Sequence, residues 1–123
     1  MKTIHTAKAP EAIGPYSQAI VHGGLLFTSG QIAINPASGQ VEADTIEGQT
    51  EQVMKNLAAL LEEAGASFDS VIKTTCFLSD MADFADFNAI YGAYFVSKPA
   101  RSCVAAKQLP KNVLVEVELI AAV

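Results

Sequence analysis

The residues best suited to chemistry in this chain are one arginine and a pair of acids. Arg101, the only arginine, stands in Pro99-Ala100-Arg101-Ser102-Cys103-Val104, between a rigid proline and a β-prone run. Glu116 and Glu118 stand in Val113-Leu114-Val115-Glu116-Val117-Glu118-Leu119-Ile120, beyond a turn at Leu109-Pro110. A guanidinium donates two parallel hydrogen bonds to a carboxylate and keeps its proton throughout. A glutamate can take a proton from one water as a general base. On neighbouring strands the two could hold a small anion and work on it. The plainer reading is a cross-strand ion pair with Glu116 or Glu118, worth less than ~1 kcal/mol if exposed. Spacing alone favours that pair by a small margin, and it does not choose between the two acids.

Other candidates are weighed the same way. Cys103 as a nucleophile needs a thiolate and an activating partner, and the only histidines, His5 and His22, lie in the front of the chain. A buried thiol is the better reading for Cys103 and for Cys76. Two lone histidines also argue against a metal site. Tyr16, set by the rigid Gly14-Pro15 turn, can line a pocket or be merely half-buried. Ser29-Gly30-Gln31 ends a strand where glycine allows a ligand close to the backbone, or where a bulge sits. Asn88, among Phe84, Phe87 and Tyr91, is a polar anchor or a surface residue.

Elements that position these residues follow from periodicity. Gly23-Gly24 between two apolar runs has the composition of a two-residue hairpin turn, and Asn35-Pro36 with Ser38-Gly39 marks another turn. A helix is expected from Asp44 or Thr45, with Asp44 and Glu47 as a capping box. Val53, Leu57, Leu60, Leu61 and Ala64 recur along it, Glu51 pairs with Lys55, and Gly65 stops it. Val71–Leu78 reads as a strand. A second helix starts at Ser79 or Asp80, buries Phe84, Phe87, Ile90, Tyr91, Tyr94 and Phe95, and ends by Pro99. Strands at Arg101–Ala105 and Val113–Ala121 close the chain.

Strands joined through helices imply some parallel pairing in a mixed sheet, and two helices cover only one face of it. Val113, Val115, Val117 and Leu119 form an apolar row for the covered face. Leu114, Glu116, Glu118 and Ile120 form a mixed row, which points to a partner subunit.

The bulk numbers bound the function. At 123 residues, with half of them hydrophobic and 17% charged, one domain (1–123) with its own core is expected. A net charge of -5 argues against a nucleic-acid partner. No segment resembles a signal core or a membrane span, and two separated cysteines read as reduced thiols, so a cytoplasmic protein is expected.

Ile13-Gly14-Pro15-Tyr16-Ser17-Gln18-Ala19, Ser29-Gly30-Gln31-Ile32, Pro99 to Val104, and Leu109-Pro110-Lys111 with Val115-Glu116-Val117-Glu118 occur in that order. Together they resemble the Rid family, the reactive intermediate deaminases of the RidA subgroup, also called YjgF-like. The resemblance spans essentially the whole chain. It implies an α+β, chorismate-mutase-like fold assembled as a homotrimer with three pockets between subunits. It implies cofactor-free hydrolysis of 2-iminoalkanoates and their enamine tautomers, such as 2-aminoacrylate, to 2-keto acids and ammonia. By position, Arg101 would clasp the substrate carboxylate, Glu116 would orient or activate water, and Tyr16 would cover the substrate. Ser29, Gly30 and the Cys103 region would form the wall, with Asn88 as a further contact. The connector Val96-Ser97-Lys98 is shorter than in many relatives, which bears on the pocket rim. Two other functions stay in view: a sensor of small keto or amino acids, and a ribonuclease-type translation inhibitor.

Overall fold

The computed structural model describes residues 1–123. Eight strands form in chain order: β1 (Lys2–Ile4), β2 (Ala19–His22), β3 (Leu25–Thr28), β4 (Ile34–Asn35), β5 (Gln40–Val41), β6 (Val71–Leu78), β7 (Ala100–Ala105) and β8 (Val115–Ala122). Two helices, α1 (Ile46–Glu63) and α2 (Phe84–Tyr94), lie between them. The main sheet runs β1-β2-β3-β8-β6-β7, and β4 pairs separately with β5. Only β6 and β7 are parallel, because α2 carries the chain across the sheet between them. This is the expected mixed α+β arrangement with two helices on one face. Neither helix is long and apolar enough to cross a membrane.

Local signals explain most of the boundaries. Gly23 and Gly24 take φ of 60° and 77°, the two positive values a tight β2–β3 turn demands. The cap of α1 is one residue later than the expected box. Thr45 accepts from the Gly48 backbone N–H at 3.1 Å, and a glycine at that third position has no side chain to reciprocate. At the far end, Gly65 N donates to Glu62 O and Ala66 N to Leu61 O, the paired bonds of a left-handed glycine stop. The expected Glu51–Lys55 pair does not form. Glu51 instead accepts the Tyr94 hydroxyl at 2.6 Å, a charge-assisted bond that outweighs an exposed ion pair.

α2 is entered through a turn in which Asp80 accepts from Ala82 N at 2.8 Å. It ends at Tyr94, earlier than Pro99 requires, and the connector closes with Lys98 N donating to Phe95 O. Lys98 sits at a left-handed φ of 55°. β8 begins two residues later than Val113, because Pro110–Asn112 form a short 3-10 turn.

The two rows of β8 part as the alternation implies. Val113, Val115, Val117 and Leu119 are buried against the helices, within one cluster or its small satellite. On the other face Glu116 and Ile120 are half-buried and Glu118 is exposed. Phe27, the register partner of Ile120, and Val104, the partner of Phe77, share that open face at 41% and 50% exposure. Large apolar side chains left on a sheet face are a surface in want of cover.

Candidate active site

One pocket, about 330 Å³ in volume, opens where the chain leaves β3 and crosses to β8. Gln31 N donates to Val117 O at 2.8 Å and Val117 N to Gln31 O at 3.1 Å. That bridge lays Gly30 against Glu116, so closely that a Cβ at residue 30 would stand 2.5 Å from Glu116 Oε2. Burial pushes the Glu116 carboxyl above its ordinary value, and the charge of Glu118 adds to the effect. Ser29 donates its hydroxyl to Ser17 O at 2.6 Å, so its lone pairs remain to accept from a ligand. Tyr16 stands at the mouth, with its amide bonded to Gly14 O and its hydroxyl accepting from Ile13 N at 3.3 Å.

Two buried amides hold the walls of this pocket. Gln18 accepts from Thr6 N at 2.8 Å, and its NH2 donates to the carbonyls of Thr6 and Pro10 at 3.0 and 2.8 Å. Asn56, fully buried on α1, donates to the carbonyls of Ile32 and Ile34 at 3.1 and 2.9 Å. Neither was singled out from sequence. For Asn56 the signal was available: Gln49 and Asn56 interrupt the buried apolar stripe of α1 at helical spacing. A polar group on that face needs a backbone partner.

Arg101 belongs to a different place. β7 is an edge strand whose register sets Thr74 beside Arg101 and Cys76 beside Cys103, so these side chains point toward the helices. Arg101 Nη1 donates to Asn88 Oδ1 at 2.6 Å. Its guanidinium carbon lies 4.8 Å from the Tyr91 ring centroid and 5.3 Å from that of Phe84. A second cavity, about 530 Å³, is bounded by Arg101, Asn88, Tyr91 and Lys98 among others, with no acid in its lining. Burial raises the Cys103 thiol, against the opposing pull of Arg101, and raises Cys76 to about 12. Neither sulfur is activated as a thiolate.

The expected ion pair between Arg101 and Glu116 or Glu118 is therefore absent. β6 lies between β7 and β8, and Arg101 faces the helices whereas Glu116, opposite Phe77, faces away. The structure brings Tyr16, Ser29, Gly30 and Glu116 together in one half and Asn88, Arg101 and Cys103 in another. Within one chain the halves do not meet.

The family model described as Endoribonuclease L-PSP matches residues 6–123. AldR of Lactococcus lactis, named as a candidate regulator, is 57% identical over 124 residues, covering 100% of this chain and 98% of that protein. The 2-iminobutanoate/2-iminopropanoate deaminase of Escherichia coli K12 is 47% identical over 124 residues, covering 98% of this chain and 96% of that protein. The crystal structure of the YjgF gene product from E. coli matches with a TM-score of 0.93 at 45% identity, over 99% of this chain and 98% of that one. With sequence and fold matched along almost its whole length, the chain belongs to the YjgF/Rid family.

Proposed function

We propose that this chain is a cytoplasmic, cofactor-independent deaminase that hydrolyses 2-imino acids and their enamine tautomers, such as 2-aminoacrylate, to 2-keto acids and ammonia. In this reading residues 1–123 are one Rid-family domain, and three copies assemble as a homotrimer. The observation that carries it is the division of the site. A carboxylate raised above its ordinary range and an arginine without an acid partner lie on opposite faces of one sheet. The open face of one subunit, laid beside the β7 edge of the next, completes a pocket with both.

Arg101 holds the substrate carboxylate through the guanidinium edge that Asn88 leaves free, with each charge-assisted bond worth roughly 1.5–3 kcal/mol. An enamine takes a proton from solvent at its terminal carbon to become the iminium. Glu116 accepts a proton from water as the oxygen adds to the C=N carbon. The same carboxyl returns it to the nitrogen of the carbinolamine and then takes the hydroxyl proton as the C–N bond breaks, so the keto group forms, ammonia leaves and the last proton passes to water. A raised pKa suits a group that must take and give back a proton near neutrality, and such assistance is worth on the order of 10²–10⁴-fold. Tyr16 covers the substrate, while Ser29, Gly30 and the Cys103 strand wall it in.

The test is keto-acid release from 2-aminoacrylate generated in situ, with wild type and Arg101→Ala compared. Wild type should accelerate release and the variant should not; normal turnover by Arg101→Ala contradicts the assignment. A second reading, a regulatory binder of small keto or amino acids, draws on the likeness to AldR. Binding of 2-oxobutanoate by wild type with no rate enhancement would favour it. A ribonuclease reading has less support, since His5 is exposed and tied to Glu11 at 2.9 Å while His22 is exposed at the hairpin.

A further inference from the structure

Arg101 is held by more than Asn88. Phe84, Asn88 and Tyr91 stand at i, i+4 and i+7 on α2, one face of the helix, and all three touch the guanidinium. Tyr91 is fixed from two further directions. Its ring stacks on Phe95 at 4.4 Å and 28°, and its hydroxyl bonds Thr74 Oγ1 at 2.6 Å. Thr74 is wholly buried and is the register partner of Arg101 on the adjoining strand. The chain thus closes a ring of contacts: Arg101 to its strand neighbour Thr74, Thr74 to Tyr91, and Tyr91 back to the guanidinium.

We infer that the Thr74–Tyr91 hydrogen bond is a positioning device for Arg101, fixing the plane of its guanidinium before a carboxylate arrives. This rests on the reading of Arg101 as the carboxylate clamp. An arginine has several rotatable bonds, and a clamp that must be ordered at binding loses affinity to that ordering. The Tyr91 ring supplies a flat, electron-rich seat, and the hydroxyl bond stops that seat from rocking. Asn88 then takes one Nη1 hydrogen and leaves the far edge of the fork for the ligand. Neither Thr74 nor Tyr91 needs to touch substrate for this.

A double variant, Tyr91→Phe with Thr74→Val, tests it. Each single change strands a buried hydroxyl and can lower stability for that reason alone. Removing both together keeps shape and strands neither hydroxyl, leaving only the weak Cys76 Sγ–H donor, 3.9 Å from Thr74 Oγ1, without its acceptor, so thermal stability should return close to wild type. If the bond positions Arg101, the double variant keeps its Tm and trimer but raises KM about tenfold with kcat little changed. Its Kd for 2-oxobutanoate should rise in step. Because Arg101 is the only arginine, its side-chain NMR signals are unambiguous. Resolved Nη resonances in wild type should average in the double variant, whether or not the protein hydrolyses imines. Wild-type KM and Kd together with unchanged Nη resonances in the double variant would overturn the inference. Failure of wild type to bind or turn over any 2-keto or 2-imino acid would instead sink the deaminase reading, and the clamp with it.

Discussion

The Glu116 carboxylate occupies the space in which a side chain at residue 30 would begin: an added Cβ would meet Oε2 at 2.5 Å and Cδ at 2.8 Å. Gly30 is therefore kept free of a side chain by the acid beside it, and its φ is not in the left-handed region. Gly30→Ala should leave the backbone in place and push the flexible carboxylate aside. We expect a loss of kcat/KM on the order of 10²-fold, the cost of a displacement near 1 Å, with little change in Tm. Kinetics and a melt on the same sample check this; an unimpaired variant means the position of Glu116 does not matter to turnover.

Glu116 is raised by burial first and by Glu118 second. A base must be deprotonated to act, so activity climbs with pH through the raised value. In the intersubunit site proposed above, the neighbour's Arg101 would oppose the shift until the substrate carboxylate neutralised it. The upward shift is thus expressed in the complex: the acid limb of kcat should lie above the usual carboxylate range, and that of kcat/KM should lie lower. Glu118→Gln should move the kcat limb downward. Two coincident limbs that ignore Glu118 would contradict this.

Residue types and periods carried a large part of this structure. Gly23-Gly24 called for two positive φ values and has them, and the two rows of β8 divided by burial as their alternation required. Strand order was another matter. Nothing local to Arg101 or Glu116 reveals that β6 inserts between β7 and β8, since neighbours in a sheet are chosen by crossovers and not by adjacent sequence. That one fact turned an expected ion pair into two residues on opposite faces of the sheet. The cap of α1 slipped from Asp44 to Thr45 for a simpler reason, as adjacent residues of similar capping preference are hard to rank without geometry.

Asn56 links stability to the pocket. Its amide satisfies the Ile32 and Ile34 carbonyls, and Ile32 and Ile34 both line the cavity that holds Glu116. Asn56→Leu removes both donations, and because the Ile32 carbonyl keeps the Ile34 backbone N–H at 2.8 Å the cost should be about 1–3 kcal/mol in all. Gln52→Ala, which removes only the donor to Asn56 Oδ1, should cost much less. Urea denaturation of the two variants against wild type decides it, and equal midpoints would show that water replaces the amide freely.

The placement of Arg101 and Glu116 on opposite faces of one sheet makes the central claim testable without any assumption about rate. Arg101→Ala and Glu116→Gln should each be inactive alone, because every pocket lacks one partner. Co-expressed in equal amounts with different tags and purified as mixed trimers, they should regain activity in about one site in three. That is the share in which an intact Arg101 meets an intact Glu116 across a cyclic interface. Recovered 2-aminoacrylate hydrolysis in the mixed trimer is the expected result. Mixed trimers as inactive as either parent would contradict a catalytic site shared between subunits.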